Sequence, residues 1–126
     1  MILIIGGAYQ GKLDYAKRKF GISEDDIFCC SRDKAEIDFG RRVILHLDEF
    51  VYACTAAGKD SRRYLAENRS RWENSIIILN DVSCGLVPME PLDRAYREAV
   101  GRTAVYLGKE ARSAVRVFAG LAKNLK

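Results

Sequence analysis

The chain has little that would tie it to a membrane, a metal or an oxidising compartment. No apolar run approaches the roughly 20 residues that a membrane-spanning helix needs. The N-terminal apolar stretch, residues 2–5, is only a few residues long and lacks the basic flank of a secretory leader, so cytoplasmic residence is expected. Four cysteines, Cys29, Cys30, Cys54 and Cys84, show neither C-x-x-C spacing nor a nearby histidine. That pattern argues against a metal site or a disulfide framework and for reduced, buried thiols. Charge of one sign is also scarce: a formal +4 suits a phosphate-bearing ligand but is too small to argue for nucleic acid, which is not expected as a partner. With 48% hydrophobic and 30% charged residues, the 126-residue chain reads as one globular domain, 1–126. A domain of that size buries about two-thirds of its unfolded surface.

What the chain does have is concentrated at its start. Ile2, Leu3, Ile4 and Ile5 read as a strand buried on both faces, and the glycines behind them forbid its continuation. The next residues, Gly6-Gly7-Ala8-Tyr9-Gln10-Gly11-Lys12, fit the phosphate-binding loop G-x-x-x-x-G-K, with a helix expected from Lys12. In such a loop, successive backbone N–H groups and the positive end of the helix converge on one anion. Gly6, Gly7, Ala8, Tyr9, Gln10, Gly11, Lys12 and Leu13 are therefore the candidate nucleotide-binding residues, with Lys12 expected to reach the β- and γ-phosphates of ATP or GTP. The motif ordinarily continues with Ser or Thr, whose hydroxyl ligates Mg²⁺. Leu13 has no oxygen to offer, so Mg²⁺ binding is expected to be weakened.

Along the rest of the chain, a helix is expected over residues 12–20, stopped by Gly21. Ile27-Phe28-Cys29-Cys30 reads as a second strand, and residues 31–42 as a loop or short helix. Val43-Ile44-Leu45-His46-Leu47-Asp48-Glu49 reads as a third strand closed by two acids. A strand-end carboxylate that holds Mg²⁺ or its water shell is the second signature of phosphate-loop proteins. Asp48 is the candidate for it, with a helix cap as the plain alternative. Residues 49–57 predict an apolar helix ended by Gly58. Residues 61–72 predict a basic one, with Arg62, Arg63, Arg69 and Arg71 around Tyr64, Leu65 and Trp72 and a cap at Asp60 or Ser61. A strand over residues 75–79 ends on Asn80-Asp81. From Pro91, a good first helical residue, the spacing of Leu92, Ala95, Tyr96, Ala99, Thr103 and Tyr106 predicts a helix of about 20 residues. Gly101 inside it points to close packing on the sheet or on a ligand. A last strand is expected over residues 114–119.

Strands interleaved with helices predict a three-layer α/β fold, a mostly parallel five-stranded sheet flanked by helices. Its ligand crevice lies at the carboxyl ends of the strands. Gly6, Asp48 and Asp81 are expected to meet there, and Lys12, Asp48 and Asp81 are the candidate catalytic residues.

Leu79-Asn80-Asp81-Val82-Ser83-Cys84-Gly85-Leu86-Val87-Pro88 resembles the N-E-V-G-x-G-I-V-P signature of the adenosylcobinamide kinase / adenosylcobinamide-phosphate guanylyltransferase family of cobalamin biosynthesis. Arg94-Ala95-Tyr96-Arg97-Glu98-Ala99-Val100-Gly101-Arg102 is similar to its R-x-F-R-D-x-x-G-R helix. Val117-Phe118-Ala119-Gly120-Leu121-Ala122-Lys123-Asn124-Leu125-Lys126 resembles its V-x-A-G-L-P-x-x-L-K ending, and Gly6-Gly7-Ala8 is its form of the loop. The resemblance covers the first dozen residues and roughly the last fifty. It implies a P-loop NTPase-like fold, a homo-oligomer, and a nucleoside triphosphate and a corrinoid as ligands. It also implies a two-step enzyme, which phosphorylates adenosylcobinamide with ATP or GTP and then transfers GMP from GTP through a guanylylated histidine.

That histidine lies, in the family, between the second and third strands, where residues 31–42 of this chain contain none. His46 falls inside the expected third strand, where the family has an aspartate. A mid-strand position suits poorly a group that must meet two substrates in turn. No guanylyltransferase activity by that route is expected. Tyr9-Gln10 stands where the family has Arg-Ser, Leu13 where it has Ser, and Thr103-Ala104-Val105 where it has L-N-Q, while Asp81 keeps the acid of its signature one methylene shorter. Two readings stand side by side: a nucleotide-dependent kinase of the adenosylcobinamide kinase type, and a catalytically inactive paralogue serving as a nucleotide-binding or regulatory partner. A nucleic-acid module resting on residues 61–72 ranks below both.

Overall fold

The computed structural model describes residues 1–82 and 90–126. In chain order its elements are β1 (Ile2–Gly6), α1 (Lys12–Phe20), a 3₁₀ turn (Glu24–Asp26), β2 (Ile27–Cys29), β3 (Val43–Leu45), α2 (Leu47–Ala56), α3 (Ser61–Glu67), α4 (Arg69–Trp72), β4 (Ile76–Asn80), α5 (Pro91–Glu110), β5 (Ser113–Phe118) and β6 (Leu121–Asn124). The sheet order is β2-β3-β4-β1-β5-β6. All neighbours run parallel except the β5–β6 pair. β1 is paired on both sides, Ile4 lying beside Ile78 of β4 and Val115 of β5. Its two faces are covered as well, Leu3 lying in one core layer and Ile4 in the other, which is why its run is apolar without alternation.

Side-chain alternation divides the core into two layers. Leu3, Ile44, Ile77, Leu79 and Ala114 face Phe50, Leu65, Trp72 and Leu107 from α2, α3, α4 and α5. Ile4, Leu45, Ile78, Val115 and Val117 face the opposite way, onto Ala16 of α1. The expected α/β arrangement, a mostly parallel sheet flanked by helices, is present.

Several boundaries differ from expectation. Among the described residues the sheet has six strands rather than five, because the chain reverses after β5 through Ala119 (φ 51) and Gly120 (φ 76) and adds β6 antiparallel. Every residue of β6 is exposed, so no apolar alternation announced it. The third strand stops at Leu45. His46 takes φ 56 and ψ 52, a left-handed backbone that neither strand nor helix continues through, and Leu47, Asp48 and Glu49 open α2. A continuous apolar run does not by itself separate a buried strand from a buried helix.

The basic helix over residues 61–72 is interrupted at Asn68, whose side-chain amide donates to the Tyr64 carbonyl at 2.8 Å. Such local bonds compete with the helix ladder. Asp60 does cap α3, accepting from the Arg63 N–H at 3.2 Å. Gly101 is not explained by close packing on the sheet, since a Cβ there would meet no protein atom within 4 Å among the described residues. Cys30 and Cys54 are buried free thiols, but Cys29 is exposed on the edge strand β2. Cys84 and the rest of residues 83–88 in the signature lie outside the described residues. Among those described, no helix is long and apolar enough to cross a membrane.

Candidate functional site

Residues 7–11 turn the chain from β1 into α1. The turn uses left-handed backbone at Tyr9 (φ 60) and at Gly11 (φ 90), which occupies the N-cap of α1. A residue with a side chain would be strained at the Gly11 angle. At Gly6 the constraint is space, since a Cβ would fall against the Val117 carbonyl oxygen. Gln10 ties the loop to the β5–β6 turn: its Oε1 accepts from the Ala119 N–H at 2.6 Å, and its carbonyl from the Gly120 N–H at 2.9 Å. Tyr9 is fully exposed and leaves the loop open to solvent.

Lys12 is buried and donates from Nζ to the Gly7 carbonyl, so the ammonium lies folded over the loop. Burial holds it below the ordinary lysine range, a shift partly opposed by the nearby Asp48 charge. Asp48 is itself buried, one residue into α2, and its carboxylate accepts from the Asn80 main-chain N–H at 3.1 Å and from Asn80 Nδ2 at 3.4 Å. It thereby joins the start of α2 to the end of β4. The Asp81 N–H donates to the Gly6 carbonyl at 2.7 Å, which joins the ends of β4 and β1.

In front of the loop lies a cavity of about 930 Å³, lined by Ala8, Tyr9, Gln10, Gly11, Lys12 and Leu13 from the sequence-expected set. Gly6 and Gly7 lead into it, while Asp48 and Asp81 are not part of its lining. Sequence reasoning missed Arg32, His46 and Asn80, which do line it. Arg32 comes from the irregular segment after β2. It forms a two-pronged pair with Glu49, Nε to Oε2 at 2.7 Å and Nη2 to Oε1 at 3.2 Å, and stacks 4.3 Å over the Tyr52 ring. No periodicity marks such a residue.

The apolar run around His46 predicts a mid-strand position for it. It is instead the residue at which β3 gives way to α2, and it opens on the cavity. Its Nδ1 is buried with no hydrogen-bond partner among the described residues.

A magnesium ion is the metal that a phosphate loop ordinarily implies, and among the described residues the loop lacks the hydroxyl that ordinarily holds it. Mg²⁺ takes near-octahedral oxygen ligands. Leu13 offers none, His46 presents a nitrogen at the end of β3, and the Asp48 oxygens are engaged with Asn80. Among the described residues, no group of three or more His, Cys, Asp or Glu side chains could hold a metal.

Residues 55–125, more than half of the chain, match the family described as cobinamide kinase / cobinamide phosphate guanyltransferase. The chain belongs to that family. No curated protein matches it. For this member of the cobinamide kinase / guanyltransferase family, the match begins inside α2 and runs through β6, so Asn80 and Asp81 fall within it. Lys12, Leu13, Arg32, His46 and Asp48 all precede it.

Proposed function

We propose that residues 1–126 form one P-loop NTPase-like domain of the cobinamide kinase / guanyltransferase type, which takes ATP or GTP on residues 6–13 and serves cobalamin biosynthesis in the cytoplasm. The observation that carries this reading is the junction of β1 and α1: a loop with a left-handed Gly11 at the helix start and a buried Lys12 beside it, open on the cavity of about 930 Å³. β2 and β5 lie on opposite sides of β1, and ligands of open α/β sheets bind outside the carboxyl ends of the strands at such a change of direction. An entering phosphate chain displaces the Gly7 carbonyl as the partner of Lys12. A corrinoid is the acceptor in the kinase form of this reading. Phe118, Leu121 and Leu125, exposed near β6, are the surface that a homo-oligomer would cover.

A second reading, a catalytically inactive nucleotide-binding or regulatory paralogue, is favoured by Leu13 and by the commitment of Asp48 to Asn80. Calorimetric titration with ATP and GTP, followed by incubation with adenosylcobinamide and the nucleotide that binds, separates the two. Saturable binding that weakens about 10- to 100-fold in Lys12→Ala is expected, the worth of a hydrogen bond between charged groups. Phosphate transfer to the corrinoid marks a kinase, and binding without transfer marks the inactive paralogue. No binding of either nucleotide refutes the proposal.

A further inference from the structure

We propose that a second cavity, between the α2–α3 turn and α5, binds a phosphate group, as inorganic phosphate or on a small monoester. It has a volume of about 250 Å³ and shares no lining residue with the larger cavity, so the inference stands independently of the nucleotide reading. Sites for drug-sized ligands run to about 300–1,000 Å³. This one suits a single anionic group.

Charge is the first observation. Lys59, Arg62 and Arg102 line the cavity, and among the described residues Asp60 is its one carboxylate. That carboxylate is engaged as the cap of α3, accepting from the Arg63 N–H at 3.2 Å. Among the described residues the Lys59 ammonium has no ion pair or hydrogen bond, and the Arg62 guanidinium has only the Tyr106 ring, 5.7 Å away. Arg102 reaches Glu98 at 3.9 Å, with both side chains exposed. Arg63 and Arg69 stand outside the lining and are paired, with Glu67 at 3.0 Å and Glu110 at 3.1 Å. Between residues 59 and 69, the cations without a carboxylate are thus the ones on the cavity.

The second observation is that the walls are held in place. Gly58, Ala95 and Ala99 put little bulk into the space. Ser61 and Thr103 are buried in the lining and hydrogen-bonded to each other at 2.9 Å, which ties the first residue of α3 to the middle of α5. Arg62 and Arg102 are the chain neighbours of that pair, so their main chains keep a set separation across the cavity. Arginine presents paired donors that match phosphate oxygens, and two such forks with an ammonium suit a dianion better than a carboxylate.

The test is amide NMR of the ¹⁵N-labelled full chain, titrated at constant ionic strength with inorganic phosphate, glycerol 3-phosphate and acetate. Saturable shifts are expected at residues 58–62 and 99–103 with one or both phosphates, whatever happens at residues 6–13. Tighter binding of the first phosphate marks the free ion as the ligand, and of the second a monoester; either supports the site. Lys59→Gln and Arg62→Gln change exposed side chains, with folding checked by thermal melting, and each is expected to weaken binding about fivefold, the upper end for one exposed ionic contact. Arg63→Gln removes the same charge from the same helix outside the lining, and is expected to change affinity less than about twofold. Shifts that grow without saturating, unchanged affinity in both lining variants, or an equal loss in Arg63→Gln overturns the site. Acetate that produces the same shifts at the same concentration overturns the assignment to phosphate.

Discussion

Replacing Asp48 by Ala is expected to damage the fold before it damages any chemistry. The carboxylate is buried and holds the start of α2 to the end of β4 through the main-chain N–H and the side-chain amide of Asn80. Hydrogen bonds to a charged group contribute about 1.5–3 kcal/mol, and an N–H left buried and unpaired costs about 1–3 kcal/mol. The buried Lys12 ammonium would also lose its neighbouring negative charge. Breaking one side of a buried charged cluster typically costs about 3–5 kcal/mol. In a domain of this size that lowers the melting temperature by roughly 10–20 °C.

Asp48→Asn keeps the shape and one acceptor, and is expected to lose less than half as much. The assay is thermal and urea unfolding followed by circular dichroism, without nucleotide. Asn80→Ala and the double variant complete a cycle whose coupling should be about 0.5–3 kcal/mol. A melting temperature within about 2 °C of the wild type in Asp48→Ala, together with lost nucleotide binding, would refute the clamp and make Asp48 a residue of the site.

Three other outcomes follow from single residues. Gly101 lies in the interior of α5 with open space where a Cβ would go, so Gly101→Ala should raise stability by about 0.5–1 kcal/mol in urea unfolding; a loss would mean that something packs there. Burial lowers the Lys12 pKa below 10.5, and a bound anion raises it again, so in the window between that lowered value and 10.5 binding takes up a proton. In the same window the unfolded chain holds more protons than the folded one, so stability rises with pH while nucleotide affinity falls; calorimetry in buffers of different ionisation enthalpy reads the proton uptake. The Cys54 thiol, pushed up to about 11 by burial, should stay unmodified by a disulfide reagent at pH 8 until the chain unfolds, as peptide mass spectrometry would show.

How far the sequence spoke depended on how local the deciding physics was. The loop, α1 and α5 were legible because a glycine stop, a proline start or a fixed 3.6-residue spacing is written in neighbouring residues. Gly21 ends α1 with φ 62, and Pro91 opens α5. β6 was not legible, since its four residues bury nothing and depend on β5 for every ladder bond. His46 was misplaced because a left-handed residue inside an apolar run leaves no mark in hydrophobicity. Asp48 was recognised as an acid near the strand ends, but its partner Asn80 stands 32 residues away, brought near by the β3–β4 pairing. Arg32 comes from a stretch with no period at all. The candidate site was thus half visible: its backbone could be read, and the side chains opposite that backbone could not.

The family match leaves out the loop, yet the loop is held by residues inside the match. Ala119 and Gly120 donate both of the bonds that clasp Gln10. Val117 leaves no room for a side chain at Gly6, and a Cβ on Gly11 would lie 3.4 Å from the Gly120 Cα. A turn with two consecutive left-handed residues can present two N–H groups to a neighbouring loop, which gives the Ala119-Gly120-Leu121 ending a physical reason to go with Gly6 and Gly11. Tyr9, by contrast, is fully exposed, so no packing contact fixes its identity. The Gln10 side chain is long enough to reach the Ala119 amide, which adds a second bond to the clasp. Leu13 differs in kind: it lies at the start of α1 and offers no oxygen where the loop opens on the cavity.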